Sequence, residues 1–309
     1  MCNAFSGLIV AEKGKDWGKV LFLSGVHHEK DREKIKSKYG DNVLAWESNE
    51  PYQLDKFEFT HAINVSEKEQ KELLELLVEW GKKQDKEKLI RSMITVIKDN
   101  KPTDDYLVNE NLIKIGDNMS IICDFSANIE AGDESTQTAG YRSTQTAGYR
   151  STQTAGDEST QKAGYGSTQK AGDKSTQTAG NESTQKAGNG STQKAGYGST
   201  QKAGYWSTQT AGDESTQKAG YWSTQTAGDE STQTAGYWST QTAGDNSNCI
   251  IHGDTSYIVL NGKNVLLTQI YEEDGIVKRR TLVIDELFKK YKKGDKIKIV
   301  KGKSKRTRK

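Results

Sequence analysis

An eight-residue unit repeats without interruption through the middle of the chain. The pattern Ala-Gly-x-x-Ser-Thr-Gln-Thr recurs 14 times from Ala131 to Thr242, and Lys replaces the last Thr in some copies. Such a fixed period dictates the architecture, because every unit must adopt the same local structure. Eight residues do not match the heptad of a helix, and a Gly in every unit weakens any helix. Ser-Thr-Gln-Thr-Ala fits a short strand and Gly-x-x fits a corner, so the repeat predicts a β-solenoid.

The imperfect copies at the two ends of the repeat show which side of each strand is buried. Strand side chains alternate between two faces, so Ser, Gln and Ala share one face and the two threonines share the other. At the N-terminal end, the Ser, Gln and Ala slots hold Met119, Ile121 and Cys123, followed by Ala127, Ile129 and Ala131. At the C-terminal end, they hold Ser247, Cys249 and Ile251, followed by Thr255, Tyr257 and Val259. These slots are mostly apolar at the ends, so we expect Ser, Gln and Ala inside and the threonines outside.

A small polar interior is stable only if stacked copies hydrogen-bond one another. Identical side chains at the strand spacing of about 4.8 Å can form Gln amide ladders. Each unit is too small to bury much alone, so stability should come from stacking between neighbours, with the apolar end copies as caps that cover the strand edges. From Tyr205 to Trp238, Tyr-Trp pairs recur in every second unit and Asp-Glu pairs alternate with them, and the earlier copies keep this order less well. We therefore expect a coil of two units with an aromatic ladder along one edge and an acidic ladder along the opposite edge.

The chain divides by composition into three parts, and the fold class is mainly β. Residues 1–115 predict a small α+β domain, residues 116–259 the β-solenoid, and residues 260–309 a β-rich cap with a basic tail. In the first part we expect strands at Gly18–Ser24 and around Phe57, Phe59 and Ile63, and a helix over Glu29–Tyr39. Another helix should begin at a capping box of Ser66 and Glu69 and end at Gly81, with the apolar stripe Leu73, Leu74, Leu76, Leu77 and Trp80.

Further elements are expected on both sides of the repeat. A second helix should carry Leu89, Ile90, Met93, Ile94 and Ile97. In the last part, Val265–Tyr271 and Ile276–Ile284 predict a hairpin across Glu272–Gly275. A short helix at Glu286–Tyr291 and a strand at Lys296–Val300 should follow.

The composition differs from that of ordinary globular chains and from that of disordered chains. Hydrophobic residues make up 32%, below the ~45–50% typical of globular chains by a count that also includes Gly. Disordered chains are usually rich in Pro and charge, yet this chain holds only 2 Pro. Its net charge of +2 indicates no particular partner. Between Asp285 and Lys309 there are 12 Lys or Arg against 3 Asp or Glu, which is typical of a solvated tail or of a surface for an anionic partner.

The cysteines, the N-terminus and the apolar segments indicate neither a secreted nor a membrane protein. Cys2, Cys123 and Cys249 are odd in number and far apart, which argues against a disulfide framework and against zinc. The N-terminus lacks a signal-peptide pattern and no apolar stretch reaches the ~18 residues of a membrane span. The expectation is a cytoplasmic chain by default, with a virion or a cell surface as the other locations considered. No cofactor is expected.

The unit at Ala203–Thr210, Ala-Gly-Tyr-Trp-Ser-Thr-Gln-Thr, resembles the repeat of bacterial ice-nucleation proteins. The resemblance covers the array from Ala131 to Thr242 and implies a solenoid of 16-residue coils, Thr-x-Thr rows that order water, and a tyrosine ladder used for assembly. This chain departs from that pattern in two ways. Its array is shorter than those of the nucleators, and lysine replaces the second threonine at Lys162, Lys170, Lys186, Lys194, Lys202 and Lys218. These two departures favour ice binding over efficient nucleation.

The outward threonines are the candidate ice-binding or surface-binding residues. Threonines two apart on a strand lie about 6.8 Å apart and coils lie about 4.8 Å apart, a grid similar to the water spacing of ice. The alternative is that they are β-formers that only stabilise the strands. The pairs without lysine are Thr136, Thr138, Thr144, Thr146, Thr152, Thr154, Thr176, Thr178, Thr208, Thr210, Thr224, Thr226, Thr232, Thr234, Thr240 and Thr242.

The Tyr-Trp pairs form the candidate assembly edge, through which copies of the chain could associate. They are Tyr205, Trp206, Tyr221, Trp222, Tyr237 and Trp238. Exposed aromatic rings favour interfaces, and the alternative is that they pack only on one another.

The remaining candidate residues give no support for catalysis or metal binding. Cys2 has no base nearby in sequence that would make it a nucleophile. Adjacent His27 and His28 point to opposite faces of a strand and would rarely share a metal with His61, while His252 stands alone near the cap. The sequence predicts no enzyme, no metal site and no nucleic-acid partner.

The N-terminal segment carries a second resemblance. The opening Met-Cys-Asn-Ala, the His27-His28-Glu29 triplet and Lys56–Phe59 resemble an uncharacterised group of phage and prophage proteins, whose members run from a small domain into short repeats. This resemblance brings no known activity. Two functions therefore stay open: an ice-binding, water-ordering solenoid, and a phage-associated structural or surface-interaction protein whose solenoid is an adhesin or spacer that contacts a macromolecular surface.

Overall fold

The computed structural model of the chain describes residues 6–10, 19–22, 43–48, 54–59, 66–109, 112–123, 125–259, 261–283, 285, 289–301 and 303–306. Several predicted features lie outside this part of the chain. They are the helix at Glu29–Tyr39, the first half of the helix at Glu286–Tyr291, and the residues Cys2, His27, His28, His61 and Ile63. The second half of the latter helix, residues 289–291, is described and is a turn followed by a bend, so the helix is not present there.

The first described strands form a four-stranded antiparallel sheet. Its strands are β1 (Ser6–Val10), β2 (Lys19–Phe22), β3 (Val43–Ser48) and β4 (Phe57–Phe59), in the order β2-β1-β3-β4. The strands predicted around Gly18–Ser24 and Phe57 are confirmed over their described residues. Strands β1 and β3 were not predicted, and their buried Ile9 and Trp46 lie at the centre of the sheet.

Helix α1 (Glu67–Lys82) packs on this sheet through Leu73 and Leu77. The predicted capping box is confirmed, because the Ser66 hydroxyl accepts from the Glu69 amide and the Glu69 carboxylate accepts from the Ser66 amide. The predicted role of Gly81 is wrong. The helix continues one residue past it and ends without a left-handed cap, and a Cβ at Gly81 would overlap the backbone oxygen of Leu54. Gly81 therefore permits a close approach between α1 and the segment before β4.

Helix α2 (Lys86–Met93) is shorter than predicted. It carries Leu89, Ile90 and Met93, whereas Ile94 is its extended C-cap and Ile97 lies in strand β5 (Thr95–Lys98). The physical reason is the β-branched run Ile-Thr-Val-Ile, which favours a strand over a helix.

Three more strands bring the chain to the first coil of the solenoid. They are β6 (Lys101–Pro102), β7 (Tyr106–Asn109) and β8 (Leu112–Ile115). Strand β7 pairs antiparallel with β8, which itself joins the solenoid in parallel. Strand β5 pairs antiparallel with the first solenoid strand of the other sheet. The parallel stack is thus closed at this end by antiparallel strands that follow no repeat.

The solenoid consists of short strands joined by tight corners. They are β9 (Met119–Ile122), β10 (Asn128–Ala131), β11 (Thr136–Thr138), β12 (Thr144–Thr146), β13 (Thr152–Thr154), β14 (Thr160–Lys162), β15 (Thr168–Lys170), β16 (Thr176–Thr178), β17 (Thr184–Lys186), β18 (Thr192–Lys194), β19 (Thr200–Lys202), β20 (Thr208–Thr210), β21 (Thr216–Lys218), β22 (Thr224–Thr226), β23 (Thr232–Ala235), β24 (Thr240–Thr242) and β25 (Asn248–His252).

These strands alternate between two parallel sheets. The even-numbered strands β10–β24 form sheet 1 and the odd-numbered strands β9–β25 form sheet 2. Each strand pairs with the strand two units later, so that Gln137 faces Gln153 and Gln145 faces Gln161. The predicted 16-residue coil of two units is confirmed.

Burial confirms the predicted orientation of the repeat. All 14 glutamines and all 14 serines of the repeat units are at most 1% exposed, and the alanines lie beside them in the interior. The threonines between them are exposed or half-buried on the outside. At the N-terminal end, the Ser, Gln and Ala slots are filled by buried apolar residues, as expected: Met119, Ile121, Cys123, Ala127, Ile129 and Ala131.

The predicted Gln ladders are present and also bridge the two sheets. The amide nitrogen of Gln153 donates to Oε1 of Gln137 at 3.0 Å and to the carbonyl of Lys162 in sheet 1 at 3.1 Å. The same pair of bonds recurs coil after coil, so both amide hydrogens of each bridging glutamine are used. Most serine hydroxyls of the repeat in turn accept from the backbone amide of the serine one coil earlier, as Ser151 does from Ser135. Hydrogen bonding thus replaces apolar packing inside the repeat.

The corners explain two further positions of the repeat. The second corner residue has a left-handed backbone, with φ of 53° at Trp206 and 66° at Gly166. Asp or Asn at the first corner position accepts from the backbone amide of the corner one coil later, as Asp213 does from Asp229 at 2.8 Å. That carboxylate lies over the Gly of the next coil, where a Cβ at Gly228 would overlap it.

The prediction for the last coil is partly wrong. Ser247, Cys249 and Ile251 are buried as expected, but the next inward residues are Ser256 and Ile258, not Thr255, Tyr257 and Val259. Strand β26 (Thr255–Val259) pairs Ile258 with Gln241, one position further along the chain than the regular coil would place the partner. One extra residue at the preceding corner shifts the register and turns every side chain of β26 to the other face.

Antiparallel strands close the C-terminal end of both sheets. Strands β27 (Leu266–Glu273) and β28 (Ile276–Val283) form the predicted hairpin, with a shorter turn at Asp274-Gly275, both residues having positive φ. Strand β29 (Lys296–Val300) lies where it was predicted and pairs with β26 and with β30 (Lys303–Arg306). The predicted boundaries of the solenoid lie at residues 115 and 259. Strand pairing continues across both, because β8 pairs with β10 and β25 pairs with β27. The division of the chain there stays a prediction.

Candidate ligand-binding surfaces

The two sheets of the solenoid present two outward faces that differ in one position of each strand. Each strand of the repeat points two side chains outward, the first of which is always Thr. The second is Thr or Lys. We call the outside of β12–β24 in sheet 1 the threonine face, and the outside of β11–β23 in sheet 2 the lysine face.

The threonine face carries threonine at most of its second positions. In register from coil to coil, they are Thr146, Lys162, Thr178, Lys194, Thr210, Thr226 and Thr242. The first positions form an unbroken row: Thr144, Thr160, Thr176, Thr192, Thr208, Thr224 and Thr240. Strands β20, β22 and β24 are therefore three successive Thr-x-Thr strands, the longest such block on this face.

The lysine face has the same first row but a different second row. In register, its second positions are Thr138, Thr154, Lys170, Lys186, Lys202, Lys218 and Thr234. Four lysines on adjacent strands form one ladder, which we call the lysine ladder. All four are exposed. Thr136, Thr152 and Thr232, which were predicted binding residues, lie in the first row of this face and not beside Thr208 or Thr224.

The predicted aromatic edge is present along one side of the solenoid. The rings of Tyr205 and Tyr221 stack at 5.1 Å and those of Trp206 and Trp222 at 5.4 Å, while Tyr237 meets Tyr221 edge to face. Trp206 is 64% exposed. Trp238 continues the exposed row. The stacked rings cover one another, so the edge offers ring edges and outer faces to solvent.

The opposite edge is acidic beside these coils, with Asp213-Glu214 and Asp229-Glu230. Earlier coils do not keep this division, because Tyr149 and Tyr165 stack on the acidic edge at 5.6 Å. Hydrogen bonds to Glu182 and Glu214 raise the pKa of Tyr165 and Tyr197.

The other candidate residues do not form a catalytic or metal site in the described part of the chain. His252 is exposed, and no group of three potential metal ligands comes together among the residues described. Burial raises the pKa of the Cys249 thiol to about 12, so this thiol is neutral and unreactive at physiological pH. No helix described in the structure is long and apolar enough to cross a bilayer.

All six lysines were recognised in the sequence, but their division between the two faces was not predicted. The signal was present in the spacing, since Lys170, Lys186, Lys202 and Lys218 follow one another at intervals of two units, whereas Lys162 and Lys194 lie four units apart. With a coil of two units, the first spacing places neighbours in one ladder and the second leaves a threonine between them.

Comparison with known proteins finds a match within the repeat. The family model described as the ice nucleation protein repeat matches two copies, at residues 204–232 and 220–248. No curated protein and no solved structure matches the chain. The matched residues 204–248 contain the Thr-x-Thr strands β20, β22 and β24 and the aromatic pairs from Tyr205 to Trp238.

Proposed function

We propose that this chain is a non-enzymatic repeat protein whose threonine face binds ice by ordering water. The observation that carries this proposal is the block of three successive Thr-x-Thr strands in register on one face, β20, β22 and β24. The segment that matches the ice nucleation repeat contains this same block.

The threonine side chain suits a rigid water-ordering surface. It presents a hydroxyl that hydrogen-bonds water and a methyl group beside it, and its branching at Cβ leaves little rotamer freedom to lose on binding. The glutamine ladders beneath fix the strand spacing from coil to coil. Lys162 and Lys194 interrupt the rest of the face with mobile, strongly hydrated ammonium groups. Because the uninterrupted block is short, we expect it to bind ice but not to nucleate ice efficiently.

A pair of matched variants tests the proposal. Thr210→Lys/Thr226→Lys places lysine in the block, and Thr138→Lys/Thr154→Lys makes the same chemical change on the lysine face. Both variants should fold, since lysine already occupies this slot in six copies. We expect the first variant to lose most of the thermal hysteresis and recrystallisation inhibition of the parent, and the second to keep them. Equal activity of the two variants, or no activity in the parent, would contradict the proposal.

We further propose that copies of the chain associate through the aromatic edge. The exposed stacked rings of Tyr205, Tyr221, Trp206 and Trp222 support it, because exposed aromatic rings favour interfaces. Replacing Trp206, Trp222 and Trp238 by Gly keeps the left-handed corner, since Gly166, Gly190 and Gly198 occupy it in other coils. Sedimentation should show that the parent forms oligomers and this variant is a monomer. A monomeric parent would exclude association at this edge.

The phage-associated alternative concerns the N-terminal segment. Most of the residues that carry that resemblance lie outside the described part of the chain, and it stays a prediction. A role for the solenoid as a surface-interaction protein has separate support from the lysine face.

A further inference from the structure

We propose that the lysine face binds a linear anionic polysaccharide, with its carboxylates or sulfates along the lysine ladder. This inference concerns a surface other than the threonine face and does not depend on ice binding. It rests on the charge, the spacing and the surroundings of Lys170, Lys186, Lys202 and Lys218.

The ladder concentrates unpaired positive charge in one line. Strand pairing sets Lys170 beside Lys186, Lys186 beside Lys202, and Lys202 beside Lys218. Neighbouring strands lie about 4.8 Å apart, so like charges repel along the row. Among the described residues, no carboxylate lies within ion-pair distance of these four ammonium groups. A ligand with several negative charges would remove this repulsion and would add attraction.

The adjoining corners do not neutralise the ladder. The strands of the four lysines lead into corners that hold Asp173-Lys174, Asn189-Gly190, Tyr205-Trp206 and Tyr221-Trp222. Asp173 is the one carboxylate in this set, and its Oδ1 already accepts from the amide of Asn189 at 2.7 Å. Lys174 follows Asp173 in the first of these corners and forms an ion pair with Glu158 at 4.0 Å. The corners therefore leave the four ladder charges unpaired, in a chain whose net charge is only +2.

Each step of the ladder repeats the same pair of groups. A lysine ammonium lies beside a threonine hydroxyl from the first row, which here is Thr168, Thr184, Thr200 and Thr216. A polyuronate likewise carries one carboxylate and free hydroxyl groups on every sugar. An extended chain laid along the solenoid axis meets an ammonium and a hydroxyl at each coil, so one contact pattern repeats along its length.

The shape of the face favours a polysaccharide over nucleic acid. Proteins that hold single strands combine basic residues with aromatic platforms on which bases stack. The lysine face offers only threonine and lysine from β13 to β21, and the rings of the nearby edge are stacked on one another. Readers of duplex DNA insert a helix or ribbon into a groove, which a flat sheet face cannot do.

The test measures binding of polymannuronate oligosaccharides to the full chain, with neutral dextran as the uncharged control. The ladder variant restores the consensus threonine at four positions: Lys170→Thr, Lys186→Thr, Lys202→Thr and Lys218→Thr. Eight other units already carry Thr in this slot, so the variant should fold, and circular dichroism checks that it does. With four exposed ion pairs lost, we expect the affinity to fall at least about tenfold. Rising salt should weaken the binding of the parent.

A charge-matched variant separates the ladder from net charge. It removes two lysines from the ladder and adds two elsewhere, by Lys186→Thr, Lys218→Thr, Thr138→Lys and Thr226→Lys. Its net charge equals that of the parent, yet no two lysines are adjacent on either face. We expect this dispersed variant to bind as weakly as the ladder variant.

Three outcomes would overturn the inference. Undiminished binding by the ladder variant would place the site in the basic tail from Asp285 to Lys309. Parent-like binding by the dispersed variant would show that only net charge matters. Tighter ladder-dependent binding of oligo-dT or duplex DNA than of polymannuronate, at equal anion concentration, would show that the ligand is a nucleic acid.

Discussion

The threonine face and the lysine face are built on one interior and differ outside. Beneath both, a glutamine amide donates to the glutamine one coil earlier and to a carbonyl of the opposite sheet, with Nε2 to Oε1 distances of 2.8 Å at Gln185 and Gln193 alike. Outside, one face carries a block of three Thr-x-Thr strands and the other a ladder of four lysines. The comparison teaches that the inward positions fix the fold, whereas a single outward position in each strand is free to change the ligand.

The largest expected effect comes from breaking the shared interior. Gln185→Ala below the lysine face and Gln193→Ala below the threonine face should each lower the free energy of unfolding by about 4 kcal/mol, because each leaves buried groups without partners and creates a cavity. Denaturant titration followed by circular dichroism measures the loss of stability as a shift in the midpoint denaturant concentration. The midpoint is compared because repeat arrays need not unfold in two states. The outward Thr184→Ala is the control. Clearly unequal losses of stability for the two glutamine variants would contradict the claim that the two faces share one interior.

The two ladders end differently, which gives the next largest effect. Cys249 Sγ donates to Oε1 of Gln233 at 3.4 Å at the end of one ladder, whereas Oε1 of Gln241 has no partner among the described residues at the end of the other. Cys249→Val should cost about 1–3 kcal/mol, since it leaves the buried Gln233 oxygen without a donor. Cys249→Ser keeps a donor and should cost less in the same titration. If Val proved as stable as Cys, the thiol would not terminate the ladder.

The same thiol gives a pH dependence of stability. Its pKa rises from the unfolded value of 9.0 to about 12 on burial, so its contribution is complete below pH 9 and is lost as the pH rises towards 12. Above pH 9, we expect the free energy of unfolding of the parent to fall relative to that of Cys249→Ser by up to about 1.4 kcal/mol per pH unit. Parallel pH profiles for the two proteins would contradict burial of the thiol.

The smallest effect distinguishes the two outward faces. Lys186→Thr removes the middle of the lysine ladder and should stabilise the chain by about 0.2–0.5 kcal/mol at low salt, because it relieves repulsion across adjacent strands. Lys194→Thr on the threonine face should change stability less, since Thr178 and Thr210 flank it. The difference should vanish at high salt. A greater gain from Lys194→Thr would contradict the division of the lysines between the faces.

Sequence alone predicted the architecture where the repeat is regular. The period gave the strands and corners, and the apolar Met119 and Ile121 at the end of the array indicated which face is inside. The Gln ladders followed from polar residues that had to be buried. The prediction failed at β26, where one inserted residue moved Ile258 into the slot expected for Tyr257. The repeat period cannot predict a corner that has one residue more than the others, as the corner before β26 has.

The flanks and the two faces were predicted less well. Strands such as β1 and β3 lack a repeat, and long-range pairing with neighbours decides their position. The β-branched run after α2 forms strand β5, and its pairing with β9 is a contact that local helical spacing does not reveal. On the solenoid, each lysine was recognised, but successive units alternate between the two sheets, so the face of a lysine follows only once units are grouped into coils. The separation of the lysine ladder from the threonine face therefore became clear only with the strand register.

Hydrogen exchange of the glutamine side-chain amides, followed by NMR, tests most directly whether these residues are buried and bridge the sheets. The account predicts that the 14 side-chain amides from Gln137 to Gln241 exchange far more slowly than free glutamine, because each lies inside the coil and donates to a carbonyl of the opposite sheet. Exchange at the rate of free glutamine would mean that these side chains face solvent, and the outward rows of threonine and lysine would not exist.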